Sequence, residues 1–313
     1  MLDVIGLSTS FQNGNQRIRA VDTISFSIGP NEVVGLVGES GSGKSVTALS
    51  CMNLVPSTAL VSGEVNWRGK NVLAMSDRDH RQFLGKEIGM IFQNPLASLN
   101  PVFSIGSQMM ETIMLHQSVD KRTARDIAIQ LLTQVKIPDA STRLNDYPHQ
   151  FSLGMCQRIM IAITLAMKPR LIIADEPTAS LDVTIQAQVL ALLDALRREQ
   201  ELSILMISHD LGVIAQFCDR ILIMYLGKIV ETGTPTQIFK TPKHPYTQAL
   251  ISAIPVPDPD LRQKPKLISG DIPSPANLPA GCRFHPRCPI ATDRCRDLEP
   301  ELIDGVACWN SGI

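Results

Sequence analysis

Val33-Val34-Gly35-Leu36-Val37 runs without a break into Gly38-Glu39-Ser40-Gly41-Ser42-Gly43-Lys44-Ser45, an apolar strand pattern followed by a glycine-rich turn. The second stretch has the form G-x4-G-K-[ST], and that pattern has a mechanism. Successive backbone N–H groups of such a turn wrap phosphate oxygens, and the first turn of the following helix adds its dipole. Lys44 is then placed to reach the β- and γ-phosphates of a nucleotide, and Ser45 to offer its hydroxyl to Mg²⁺. Gly38, Glu39, Ser40, Gly41, Ser42, Gly43, Lys44 and Ser45 are therefore the candidate nucleotide-binding residues.

Working outward, apolar residues at Val46, Leu49 and Met52 predict a helix after Lys44 that stops near Pro56. Short strands are expected over 2–7 and 24–28, with Gly29-Pro30-Asn31 as a turn, and strand-like alternation over 63–72. From 96 to 150 the pattern becomes helical, most clearly over 123–135. Buried parallel strands are expected at 171–174 and 203–207 with a helix over 187–200 between them, and a late hairpin joins 220–224 to 228–231 across Gly227. Strands alternating with helices point to an α/β fold with a mainly parallel sheet and helices on both faces. From about 241 onward, prolines such as Pro242, Pro245, Pro255, Pro257, Pro259 and Pro265 predict a tail with little regular structure.

The strand Leu171-Ile172-Ile173-Ala174 ends in Asp175-Glu176-Pro177. Two carboxylates at the end of a buried strand lie at the carboxyl edge of the sheet, where open α/β sheets bind ligands. Asp175 would hold Mg²⁺ directly or through water, and Glu176 would polarise the attacking water as general base.

Bulk properties bound the class. At 313 residues the chain suits one large domain with a smaller attachment. Its 44% hydrophobic and 19% charged content are those of a globular protein. A formal charge of −1 argues against a dedicated nucleic-acid binder. No apolar run approaches the ~18 residues of a spanning helix. The start, Met1-Leu2-Asp3-Val4, lacks a signal-peptide pattern. A cytosolic protein that meets a membrane only through a partner is the expectation. Cys51, Cys156 and Cys218 lie in apolar segments and read as buried small hydrophobes.

The order of these motifs resembles the ATP-binding subunit of ATP-binding cassette (ABC) transporters over essentially the whole chain. Gln93, after Met90-Ile91-Phe92, resembles that family's Q-loop glutamine, which contacts Mg²⁺ and the attacking water. Phe151-Ser152-Leu153-Gly154-Met155 stands where the signature motif does, so Ser152 and Gly154 are implied to meet the nucleotide of a second cassette. Ala179-Ser180-Leu181-Asp182 resembles the D-loop, His209 the switch histidine at the γ-phosphate, and Phe11 the aromatic that stacks on adenine. The resemblance implies an ATPase core with an N-terminal antiparallel β part over 1–240. It also implies a helical subdomain over about 96–157 and a C-terminal extension over 241–313. One position departs: Leu153 stands where the signature has glycine. A side chain there could obstruct the partner's ATP, which suggests a heterodimer with one good and one degraded site; the alternative is that Leu153 points away and is tolerated.

The tail narrows the resemblance. His244-Pro245-Tyr246-Thr247-Gln248-Ala249-Leu250 and Gly281-Cys282-Arg283-Phe284-His285-Pro286-Arg287-Cys288-Pro289 are similar to segments of dipeptide/oligopeptide importer ATPases, a group that includes nickel importers. Tyr147-Pro148-His149-Gln150, Asn94-Pro95 and Leu99-Asn100-Pro101 point the same way. That resemblance implies two ATPase subunits under two transmembrane permease subunits, served by an external solute-binding protein, with the chain peripheral at the cytoplasmic face of the inner membrane. Cys282, Cys288, Cys295 and Cys308 could hold a [4Fe–4S] cluster or zinc, or stay free; the lack of C-x2-C disfavours a zinc ribbon, and the resemblance favours iron–sulfur. Other classes are a soluble ABC protein of translation or DNA repair, which usually fuses two cassettes, and a nucleotide-binding regulatory module without turnover.

Overall fold

A computed structural model describes residues 1–14, 16–179, 181–254 and 270–311; Ser180 and the prolines at 255, 257, 259 and 265 lie outside the described residues. The strands are β1 (Leu2–Asn13), β2 (Gln16–Ile28), β3 (Val33–Val37), β4 (Ala59–Trp67), β5 (Lys70–Asn71), β6 (Ile88–Ile91), β7 (Leu171–Asp175), β8 (Ser203–Ser208), β9 (Arg220–Tyr225) and β10 (Lys228–Gly233). The helices are α1 (Lys44–Cys51), α2 (Asp77–Phe83), α3 (Pro95–Ser98), α4 (Ile105–Gln117), α5 (Lys121–Gln134), α6 (Ala140–Arg143), α7 (Leu153–Leu165), α8 (Val183–Gln200), α9 (Leu211–Phe217), α10 (Pro235–Lys240), α11 (Pro245–Ser252) and α12 (Asp293–Asp297). Two compact units divide the chain. One takes Met1–Gly29, Val33–Ala74 and Met206–Ile313, the other Pro30–Glu32 and Met75–Leu205, so that β8 contributes to both.

In the first unit an antiparallel sheet runs β2-β1-β4-β5. Alternation drives it: in β2, Ile24, Phe26 and Ile28 turn inward while Thr23, Ser25 and Ser27 face out. A second sheet in this unit runs β10-β9-β3-β8. Every residue of β3 is buried, and β3 lies parallel to β9 with Val34 opposite Arg220 and Val37 opposite Ile223. Such continuous apolar runs belong to parallel strands covered on both faces. The hairpin β9–β10 turns through Leu226 and Gly227, both at positive φ (41° and 82°), with Tyr225 paired to Lys228. Two left-handed residues match the twist of the flanking strands.

In the second unit the order is β8-β7-β6, with β6 parallel to β7. The chain between them is helical, as the sequence predicts from 96 onward. Helix α5 is capped by Asp120, whose side chain accepts from Thr123 N at 2.8 Å, and it buries Ala124, Ala128 and Leu132, one residue per turn. The apolar run 159–167 falls largely in α7, a buried helix. Among the described residues no helix is long and apolar enough to cross a membrane.

The tail departs from its prediction: it carries a regular helix, α11. Proline after residue 241 reads as a breaker, yet Pro245 sits in the first turn of α11, where the missing N–H costs nothing. His244 caps that helix, its Nδ1 accepting from Tyr246 N at 3.1 Å, and burial pushes the ring's pKa down to about 4. The buried carboxylate of Glu231 accepts from Lys243 N (2.8 Å) and His244 N (2.9 Å), fixing the entry of α11. Farther on, Thr232 N donates to Gly305 O and Ala307 N to Val230 O, both at 2.8 Å, so the tail also pairs with the edge of β10.

Candidate nucleotide-binding and hydrolysis residues

The glycine-rich loop of the first unit is set by its neighbours. Gly43 has φ 106°, and a Cβ there would lie 2.3 Å from Ala20 O, so no other residue fits. Ser42 N donates to Glu39 O at 3.2 Å and Gly227 N to Ser42 O at 2.8 Å, tying the loop to itself and to the β9–β10 turn. Lys44, 6% exposed, opens α1 and donates from Nζ to Gly38 O (2.8 Å) and Glu39 O (3.0 Å). Its charge is thereby held inside the loop curve, while Ser40, Gly41 and Ser45 are exposed.

Glu39 carries contacts that the sequence reading missed. Its carboxylate accepts from both terminal nitrogens of Arg287, at 2.9 and 3.3 Å, and its backbone N–H donates to Tyr246 Oη at 2.9 Å. The remaining candidates of this unit are Phe11 and His209. Phe11 lies on β1, half-buried, opposite Ile18 and Ala59. His209 is exposed just past β8, and the next residue, Asp210, caps α9 by accepting from Gly212 N at 2.8 Å and Val213 N at 3.3 Å.

In the second unit Asp175 ends the fully buried β7 and is 7% exposed. Glu176 follows in the left-handed region, φ 47°, a conformation that costs a non-glycine residue energy and concentrates at working sites. Gln93 Nε2 donates to Glu176 Oε2 at 2.9 Å. Strand register explains the meeting. Ile91 is opposite Ala174 in the parallel pair β6–β7, so residues two further along each strand emerge side by side at the carboxyl edge.

The signature and D-loop residues hold helix starts. Ser152 caps α7 by accepting from Met155 N at 3.3 Å, and Asp182 caps α8 by accepting from Ile185 N at 2.9 Å. A Cβ on Gly154 would lie 2.6 Å from Ile185 Cγ2, so this glycine is needed for helix packing within the chain. Leu153 is the first residue of α7 and half-buried.

Cys51, Cys156 and Cys218 are buried, and burial pushes the Cys51 thiol up to about 12, which makes it inert. In the tail, burial pushes Cys282 up to about 11, and the neighbouring thiols Cys295, Cys308 and Cys288 push the same way. Cys282 N donates to Cys295 O at 2.8 Å. Among the described residues no group of three or more His, Cys, Asp or Glu side chains is arranged to hold a metal ion. The four tail cysteines thus neighbour one another without forming a ready-made ion site.

Strand β3, the glycine-rich loop and helix α1 give the first unit the form of an α/β nucleotide-binding cassette. Residues 21–179 match the ABC transporter family, and residues 230–295 match the oligopeptide/dipeptide transporter C-terminal region. The chain is 47% identical over 303 residues to the dipeptide transport ATP-binding protein DppD of Escherichia coli (strain K12), covering 96% of this chain and 92% of that one. It is 46% identical over 305 residues to the oligopeptide transport ATP-binding protein AppD of Bacillus subtilis (strain 168), with 97% and 93% covered. Among solved structures it resembles the dimeric bacterial ABC transporter cassette MJ0796, with a TM-score of 0.67 at 25% identity over 75% of this chain and 99% of that one. The chain belongs to the ABC transporter ATP-binding family.

Proposed function

We propose that the chain is the ATP-hydrolysing subunit of an importer of short peptides. The observation that carries this is an ABC transporter region joined, in one chain, to a C-terminal region of the oligopeptide/dipeptide transporter type. The loop 38–45 would cradle the phosphates, with Lys44 at the β- and γ-phosphates. Ser45 and Asp175 would hold Mg²⁺, which supplies charge neutralisation on the phosphate oxygens. Gln93 holds the Glu176 carboxylate in place. From there Glu176 would take a proton from the water that attacks the γ-phosphorus, while the bond to the β-phosphate oxygen breaks; His209 would steady the γ-phosphate.

The cassette (1–240) would pair with a second ATPase subunit, and the two would sit under two permease subunits supplied by an external binding protein. Supporting a membrane partner are exposed apolar residues in the helical part at 96–157: Leu96, Val102, Phe103 and Leu115 are 49, 71, 52 and 76% exposed. Exposed apolar groups that gather into one patch mark a partner surface. Such a surface favours transport over a free-standing ABC protein.

The test is co-expression with the neighbouring permease, ATPase and binding-protein chains. The chain is expected to co-purify with two membrane proteins, and ATP turnover in vesicles to rise when di- or tripeptide-loaded binding protein is added. Stimulation only by a nickel chelate would replace the cargo; failure to co-purify would overturn the reading. In the same assembly Leu153→Gly is expected to raise turnover if Leu153 hampers the partner's site, and an unchanged rate removes that asymmetry.

For the extension (241–313) we propose that Cys282, Cys288, Cys295 and Cys308 hold a [4Fe–4S] cluster. Besides burial, Cys288, Cys295 and Cys308 all push the Cys282 thiol up, and Cys282 N donates to Cys295 O at 2.8 Å, which supports a common site. A cubane takes its thiolates at separate corners, farther apart than ligands around one ion, so failure to form a single-ion site does not count against it. Anaerobically purified protein should contain about four iron and four sulfide per chain, lost in Cys288→Ser. Iron-free protein would remove the proposal.

A further inference from the structure

Two chemistries meet at Glu39: an anion-binding loop and a carboxylate of its own. A glutamate in a loop built to hold phosphates repels them unless its charge is neutralised. Arg287 supplies that neutralisation as a two-pronged pair, the geometry in which guanidinium holds carboxylate best. The pair is well shielded, with side-chain exposures of 8% for Arg287 and 24% for Glu39. Tyr246 adds a second hold on the same residue by accepting its backbone N–H.

Both partners are themselves anchored. Tyr246 is fully buried, 4.7 Å from the ring of Tyr225 and 5.5 Å from that of Phe284, and Arg287 also donates to Tyr225 Oη at 3.3 Å. Arg283, four residues before Arg287, donates to Asp22 and to Leu226 O, fixing the same segment to β2 and to the β9–β10 turn. That turn in turn holds Ser42 O. Arg283 and Arg287 lie between Cys282 and Cys288, so whatever fixes those thiols fixes the clamp.

We infer that Arg287, with Tyr246, is a positioning residue of the phosphate-binding loop: the C-terminal extension clamps Glu39 and thereby sets the affinity for nucleotide phosphates. This rests on the proposed ATP-binding role, so the wild-type chain is titrated first with MgATP; no binding there defeats the role itself, not the clamp. Given binding, Arg287→Ala is expected to weaken MgATP about tenfold, because an unneutralised carboxylate then faces the phosphates. Adenosine binding should change by less than about twofold, since the effect acts through charge. Adding Glu39→Gln to Arg287→Ala should recover most of the loss.

A purely structural role would weaken ATP and adenosine alike and would not be rescued by Glu39→Gln. Either result overturns the clamp, as does wild-type ATP affinity in Arg287→Ala. Should that variant not fold, Arg287→Lys keeps the charge but loses the fork; it is expected to weaken MgATP by about threefold with adenosine unchanged. Wild-type affinity in Arg287→Lys, together with wild-type affinity in Tyr246→Phe, would then overturn it.

Discussion

Glu176→Gln is expected to lower ATP turnover of the assembled transporter by at least about a hundredfold while leaving MgATP bound, because a general base contributes roughly 10²–10⁴ to such a step. The substitution keeps the shape of the side chain and an oxygen for Gln93 Nε2, which stands 2.9 Å from the carboxylate. It removes only the ability to take a proton. The strained backbone at Glu176, φ 47°, stays as it is, so a fall in rate cannot be assigned to a reshaped turn. Single-turnover hydrolysis and retained nucleotide on a filter separate chemistry from binding. A residual rate within tenfold of wild type would sink the general-base role and leave Glu176 as a charge near the site.

The pairing of Gln93 with Glu176 lies beyond what local sequence signals carry. Lys44 and its loop are legible because strand, turn and helix follow one another within thirteen residues, each with its own local signal. Asp175 and Glu176 are legible because a buried parallel strand is a continuous apolar run and must end somewhere polar. That Gln93 meets Glu176 depends on the register of β6 against β7, which is set by packing between segments 83 residues apart. Arg287 and Glu39 are 248 residues apart, and no periodicity predicts such a pair. His244-Pro245-Tyr246 and the run around Arg287 are legible in sequence only as a likeness to importer ATPases, which assigns Arg287 and Tyr246 no contact with the loop.

Polar residues misled in the opposite direction. The sequence predicts a first strand over 2–7, short of the polar run Ser8-Thr9-Ser10. Yet β1 continues to Asn13, with Thr9 fully buried and its Oγ1 2.7 Å from Ser50 Oγ on α1. A hydroxyl can enter a core when a partner satisfies it, and that partner is invisible to alternation. Gly154 and Asp182 carry the same lesson for function. Each matched a nucleotide motif, and each also has a local duty, Gly154 against Ile185 and Asp182 as a helix cap. Variants at those two positions therefore disturb the fold and the interface together, whereas Glu176 can be tested more cleanly.

Lys44→Ala is expected to weaken MgATP by about a hundredfold, on the order of 2–3 kcal/mol, the scale of hydrogen bonds to charged groups. Two effects add. The loop loses the ammonium that braces Gly38 O and Glu39 O at 2.8 and 3.0 Å, and any phosphate loses its counter-charge. Because those carbonyls are neutral acceptors, phosphate oxygens compete well for the same three donors of the ammonium. Lys44 is 6% exposed, so a longer, planar guanidinium would have to displace its neighbours, and Lys44→Arg should bind nearly as poorly despite its charge. Titration with MgATP and with adenosine distinguishes the two effects. Loss of ATP alone reports the missing counter-charge, loss of both reports a collapsed loop, and unchanged ATP affinity in Lys44→Ala would take the phosphate site away from residues 38–45.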